Sequence, residues 1–263
     1  MLIVKAHAYG NDFLLAEGAA PADAPGQARR LCHRHEGIGA DGVIYFERSA
    51  NAASMTLFNA DGSPSELSGN GLRCLAALIA RSRQLAAGQT VTIETTAGTK
   101  TLELLSAERG RYTFRAAMGA PTDVREVRIP VLSETLTASV LGMGNPQCVV
   151  LGALPDTRRF NELGPALSTH AMFPAGTNVE FAHVEAPDRV RILIWERGVG
   201  PTTSSGTGSS AAAVAAAAHG GALRTLDVIA PGGTQRVEWR DDGVYLTGWA
   251  ELVMEGQWLA HAL

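Results

Sequence analysis

Two loops hold the residues whose types and spacing could do chemistry. The stretch from Asn59 to Ala77 (NADGSPSELSGNGLRCLAA) is echoed by the stretch from Trp195 to Ala213 (WERGVGPTTSSGTGSSAAA). In each, a strand-like run ends, an acidic residue stands one or two places before a glycine, and Ser-Gly-[Asn or Thr]-Gly opens a helix. Ser68 and Ser205 occupy matching places 137 positions apart, about half the chain. A helix N-terminus presents unpaired backbone N–H groups and the positive end of the dipole. Glycines there let an anion approach the backbone. Gly69–Asn70 and Gly206–Thr207 therefore read as two carboxylate or phosphate cradles. The plainer reading makes Ser68 and Ser205 ordinary N-caps. Two matched copies, each behind an acidic loop, favour a site.

Other chemistries fit less well. Gly206 to Ala211 has the form G-x-G-x-x-A, with Asp227 21 positions beyond Gly206, which would suit a dinucleotide. That fingerprint follows its strand in a tight turn, whereas Gly198 to Ser205 intervene here, and no lysine follows to make a Walker loop. The seven histidines (His7, His33, His35, His170, His183, His219, His261) are scattered, without H-x-x-x-H or C-x-x-C spacing, so no metal site is expected. No G-x-S-x-G elbow supports a serine hydrolase.

The elements that must position the two loops are mostly strands. Leu2–Tyr9 reads as a strand entering a turn at Gly10-Asn11-Asp12, and Gln27–His35 as a helix. Strands follow at 43–46, 55–58, 91–95, 101–105, 112–116, 127–129, 135–140, 149–151, 178–184, 189–195, 226–230, 237–239 and 244–247. Gly69–Arg83 and Gly206–Ala218 are helices. The second has almost no side-chain bulk and no polar face, so it should be enclosed by sheet. The expected fold class is α+β: two similar domains, each a sheet wrapped around a central helix.

Composition narrows the function classes. Of 263 residues, 18% are charged and 46% hydrophobic, with a net charge of −4, which excludes a disordered chain and argues against nucleic-acid binding. No run approaches the ~18 apolar residues of a membrane span. The 3 cysteines (Cys32, Cys74, Cys148) cannot make a fully paired disulfide framework, and a reducing, cytoplasmic setting is expected.

At a series of motifs the chain resembles the diaminopimelate epimerase family. They are Gly10–Phe13, Gly37–Gly42, Asn59–Ser63, Gly69–Cys74, Gly144–Pro146, Gly176–Phe181, Glu196–Gly198 and Ser205–Gly208. The resemblance implies a cofactor-independent amino-acid epimerase converting LL- to meso-diaminopimelate by two-base proton transfer, for lysine and peptidoglycan precursors. It also implies a pseudo-twofold pair of α/β domains. We expect one over residues 1–115 plus about 250–263 and the other over 116–249, with the active site in the cleft between them. Asn11, Asn59, Asn145 and Asn178 would hold the substrate. Gly69–Asn70 and Gly206–Thr207 would grip its α-carboxylate, and Glu196 with Arg197 would recognise the distal end and tune the site. The family inverts its stereocentre with two cysteines, and here both positions are serine, Ser68 and Ser205. Gln147 replaces a histidine common after Asn-Pro, and Pro201 replaces a polar residue of some members. Ser68, Ser205, Glu196 and Gln147 are the catalytic candidates. Three readings stay open: an epimerase in inactivated double-serine form, a relative with different proton-transfer chemistry, and a binding protein for a zwitterionic amino acid. The expected partner is a small amino acid, with neither nucleic acid nor membrane, and a homodimer is compatible with the low charge content.

Overall fold

The chain starts with a two-residue hairpin. Strand β1 (Leu2–Ala8) pairs antiparallel with β2 (Asn11–Glu17). The turn is Tyr9–Gly10, with φ of +56° and +86°, the left-handed pair that matches the twist of a tight hairpin. Asn11 and Asp12, expected in the turn, instead open β2. Buried Tyr9 tolerates this backbone because its hydroxyl is anchored, accepting from the Trp249 N–H at 3.1 Å. The structure, a computed structural model, describes residues 1–49, 52–65, 68–96 and 98–259. His261 and the last positions of the expected first domain lie outside the described residues.

Next come helix α1 (Ala24–Cys32), β3 (Gly42–Arg48), β4 (Ala52–Asn59), the short β5 (Pro64–Ser65), helix α2 (Gly69–Arg83), β6 (Thr90–Thr95), β7 (Gly98–Glu108) and β8 (Arg111–Gly119). Helix α1 begins three residues before the expected Gln27, because Asp23 caps it by accepting from Gly26 N–H at 3.1 Å. It ends at Cys32, since His33 is extended. Strands β2 and β3 run parallel on either side of α1 in the chain, and β4 and β6 on either side of α2.

The same order then repeats. After β9 (Thr122–Val131) come β10 (Glu134–Gly142), β11 (Pro146–Leu151), α3 (Thr157–Ser168), β12 (Asn178–Ala186), β13 (Arg189–Glu196), β14 (Gly200–Thr202), α4 (Gly206–His219), β15 (Thr225–Ala230), β16 (Gly233–Arg240) and β17 (Gly243–Gln257). Strands β11 and β12 are parallel around α3, and β13 and β15 around α4. Two compact units result: Met1–Ala116 with Gly248–Leu263, and Ala117–Thr247. Strand β17 pairs with β16 through its first half and with β1 through its second.

Each unit packs its strands on a central helix. In the first, residues 70 to 80 of α2 are buried among side chains of β1, β2, β4, β6 and β7. In the second, α4 is buried from Ser209 through Ala216 against β10 to β13 and β15 to β17. An alanine helix fits because sheet surrounds it closely; larger side chains would hold the strands away. Among the described residues no helix is long and apolar enough to cross a membrane.

Candidate active site

The two helix starts are geometrically alike. Ser68 caps α2 in an extended conformation (φ −130°, ψ 119°), its hydroxyl accepting from Gly71 N–H at 3.1 Å. Ser205 caps α4 likewise (φ −139°, ψ 130°), accepting from Gly208 N–H at 3.2 Å. Both serines are thus N-caps, which leaves the amides of Gly69–Asn70 and Gly206–Thr207 at the open ends of the two helices. An added Cβ at Gly71 would come within 2.9 Å of Ile44 Cδ1, and one at Gly208 within 2.5 Å of Glu180 Oε1. A side chain at either of these third helical positions would have to displace Ile44 or Glu180.

In the first unit a chain of amides runs from the helix start to a charged cluster. Arg73 Nη2 donates to Asn70 Oδ1 at 2.5 Å, Asn70 Nδ2 to Asn11 Oδ1 at 3.2 Å, and Asn11 Nδ2 to Asp41 Oδ2 at 2.8 Å. Arg34 bridges Asp41 and Asp12 at 2.8 and 3.0 Å, and Lys5 meets Asp12 at 3.0 Å. Burial would raise the Asp12 carboxyl, but Arg34 and Lys5 outweigh it and hold it below the usual range. Arg73 is the exception: 2% exposed, with no ion pair among the described residues and Nε without a partner. Its guanidinium lies 5.8 Å from the centre of the Tyr9 ring, and burial lowers its pKa. Asn59 stands apart from this chain; its amide donates to Ser63 Oγ at 3.0 Å.

The second unit gathers acids instead. Glu180 is fully buried on β12. Val179 pairs with Trp195 and Glu180 with Ile194, so Glu196 lies two positions along on the same face. The Gln147 side-chain amide lies within hydrogen-bond distance of both Glu180 oxygens, at 3.1 and 3.3 Å, and of Asn178 Nδ2, at 3.2 Å. Asn145 contacts the same amide. Asn178 Oδ1 accepts from Arg197 N–H at 2.9 Å. Burial pushes the Glu196 carboxyl up, and a hydrogen bond from Ser205 partly offsets this. Burial, and after it the Glu196 charge, push Glu180 well above the carboxylate range.

The family profile described as diaminopimelate epimerase matches residues 3–124 and 139–253. The chain belongs to the diaminopimelate epimerase family. It is 42% identical to the diaminopimelate epimerase of Desulforudis audaxviator over 98% of this chain and 99% of that one. It is 38% identical to that of Desulfitobacterium hafniense over the whole of both. Among solved structures, a probable proline racemase from Agrobacterium radiobacter K84 has a TM-score of 0.73 at 17% identity, covering 99% of this chain and 93% of that one. A hydroxyproline epimerase from Agrobacterium vitis gives 0.72 at 18%, covering 97% and 91%. The likeness to these structures shows the fold. Membership makes the chain an isomerase, an amino-acid epimerase.

Of the residues the family resemblance pointed to, the structure joins Asn11 with Asn70 in one network and Asn145, Gln147 and Asn178 in another. The Ser205 hydroxyl stands beside Glu196 and favours its charged form. Arg197, expected as the partner of Glu196, is exposed, and its guanidinium donates to the Ala175 carbonyl at 2.8 Å. Gly69 and half-buried Thr207 simply occupy the first turns of α2 and α4. Two residues were missed, Glu180 and Arg73. Both lie inside motifs of the family, and the signal each carried was a charge embedded in apolar sequence.

Proposed function

We propose that the chain converts LL-diaminopimelate to meso-diaminopimelate, in lysine biosynthesis, by two proton transfers at one α-carbon and without a cofactor. The observation that carries this is the matched pair of serine-capped helix starts, at the positions that the family resemblance assigns to the two thiols. Ser205 takes the α-proton on one face while passing its own hydroxyl proton to the Glu196 carboxylate. Ser68 donates its proton on the opposite face, and the charge left on its oxygen is held by Gly71 N–H and the helix dipole. Solvent then restores Ser68 and deprotonates Glu196, so the enzyme returns unchanged. A hydroxyl is a much weaker acid than a thiol of pKa about 8.5. The reaction is therefore expected to be slow. Asn11, Asn59, Asn145 and Asn178 orient the substrate, and Arg197 receives its distal carboxylate. A nucleotide is not favoured, because β14 and a loop separate β13 from α4.

The same reading extends to a cytoplasmic setting, which three unpaired thiols suit, and to a homodimer. Exposed Leu2, Val253 and Met254 on the paired strands β1 and β17 support the dimer. Sedimentation reads the oligomeric state.

Incubation with LL-diaminopimelate in deuterium oxide, followed by NMR, tests the reaction. The α-proton should exchange as the meso isomer appears. Exchange without inversion would point to a single working base, and no exchange to a binding protein; either result overturns the proposal. Ser68→Cys combined with Ser205→Cys should raise turnover by about 10²-fold, the scale of a well-matched acid–base pair.

A further inference from the structure

The duplicated fold compares each unit with the other, position by position. Gly42 pairs with Phe13 at the start of β3, and Asn178 with Gln147 at the start of β12. Two residues further on stand Ile44 and Glu180, both fully buried and each meeting the third residue of its central helix, Gly71 or Gly208. The fold fills this place with an isoleucine in one unit. A buried carboxyl in the other is therefore an addition that packing does not require.

The groups that face Glu180 decide what state it can hold. From β11 come Gln147 and the Cys148 thiol, which the Glu180 charge would push up. From β13 comes Glu196, from α4 come Gly208 and Ser205, and from β12 itself comes Asn178. None is a cation, and Glu180 has no ion pair among the described residues. Two neighbouring carboxyls, one of them fully buried, do not both ionise without a counter-charge. Glu180 has no exposure, whereas Glu196 is half-buried with the Ser205 hydroxyl beside it, so the charge settles on Glu196.

We propose that Glu180 is a positioning residue that works as a neutral carboxylic acid, fixing Gln147 and the start of α4 while leaving Glu196 as the one negative charge beside Ser205. Its place in the reaction rests on the epimerase reading; its protonation does not. It differs from Glu196, which exchanges protons, in keeping its own proton throughout the working range.

The decisive measurement is carboxyl ¹³C NMR of the protein labelled at glutamate Cδ. One resonance, absent from Glu180→Gln, should keep its protonated shift at pH 7 and titrate only at higher pH. Should Glu180→Gln fail to fold, Glu180→Ile makes the same assignment, with the residue that the other unit already uses there. Titration of that resonance with the ordinary glutamates near 4.5 would overturn the proposal, whether or not the enzyme turns over. Stability gives a second readout. Above the ordinary glutamate range the unfolded chain loses this proton while the native protein keeps it. Wild type should therefore lose more stability than Glu180→Gln as pH rises towards the native value. A melting-temperature gap between the two that does not change with pH would count against the proposal. In the pH profile of kcat, the acid limb set by Glu196 should be the same in both proteins, and an alkaline fall should appear in wild type alone. An acid limb displaced by a full unit in Glu180→Gln would show that the two carboxyls share the working proton, overturning the division of roles.

Discussion

Arg73 is a buried cation with no ion pair among the described residues, and its guanidinium donates to Asn70 of the candidate site. Removing a guanidinium from water is costly unless its charge is paired. Stability therefore gives no reason for Arg73 to be there, whereas a substrate carboxylate at the α2 cradle would supply the missing counter-charge. The two functions should separate in Arg73→Met, which keeps apolar volume and drops the charge. Its melting temperature should equal or exceed that of wild type. Affinity for diaminopimelate should fall about tenfold, about 1.4 kcal/mol, as Asn70 loses the donor that orients it towards Asn11. Calorimetric titration beside a thermal melt reads both. A variant that melts lower and binds unchanged would make Arg73 a packing residue.

At the scale of the element, the central helices were the most legible part of the sequence. Gly69–Arg83 has the bounds read from its periodicity, and α4 runs one residue beyond its expected end. The enclosure of α4 followed from its alanines, and it carries a prediction. Ala215→Leu, at a position with no exposure, must push strands apart and should cost about 1–3 kcal/mol. That lowers the melting temperature by about 2–4 °C per kcal/mol for a chain of this size, and a thermal scan checks it. Helix α3 was hidden because Gly164 and Pro165 sit in its interior, where both usually end helices. Gly164 is there because a Cβ would come within 2.6 Å of the Trp195 ring. Glu180 was hidden for a different reason. In a strand of period two, a single acid between Val179 and Phe181 reads as a solvent-facing residue, yet β12 is buried on both faces at that point. Only the match to Ile44 across the repeat would have exposed it, and that match depends on strand register, which composition does not contain.

Across the whole molecule, the cysteine inventory separates this chain from the thiol chemistry that its family resemblance implies. Cys32 ends α1, Cys74 lies inside α2 and Cys148 on β11, all of them free and buried. Burial, with Asp12 and Asp41 beside it, pushes the Cys32 thiol up to about 12. Burial pushes Cys148 to about 12 as well, and it raises Cys74. A thiol must ionise and be reached to react, and none of these does either at neutral pH. Iodoacetamide at pH 8 should therefore leave native activity intact and the protein unlabelled. In denaturant all 3 cysteines should be alkylated. Ser205→Cys should change this picture, because it places a thiol at a helix N-terminus, where the dipole favours the thiolate. That variant should take up one label in the native state and lose its activity on labelling, as read by intact-mass spectrometry beside an exchange assay. If native wild type is itself inactivated by the reagent, a buried thiol takes part in the reaction, and Ser68 and Ser205 are not its acid and base.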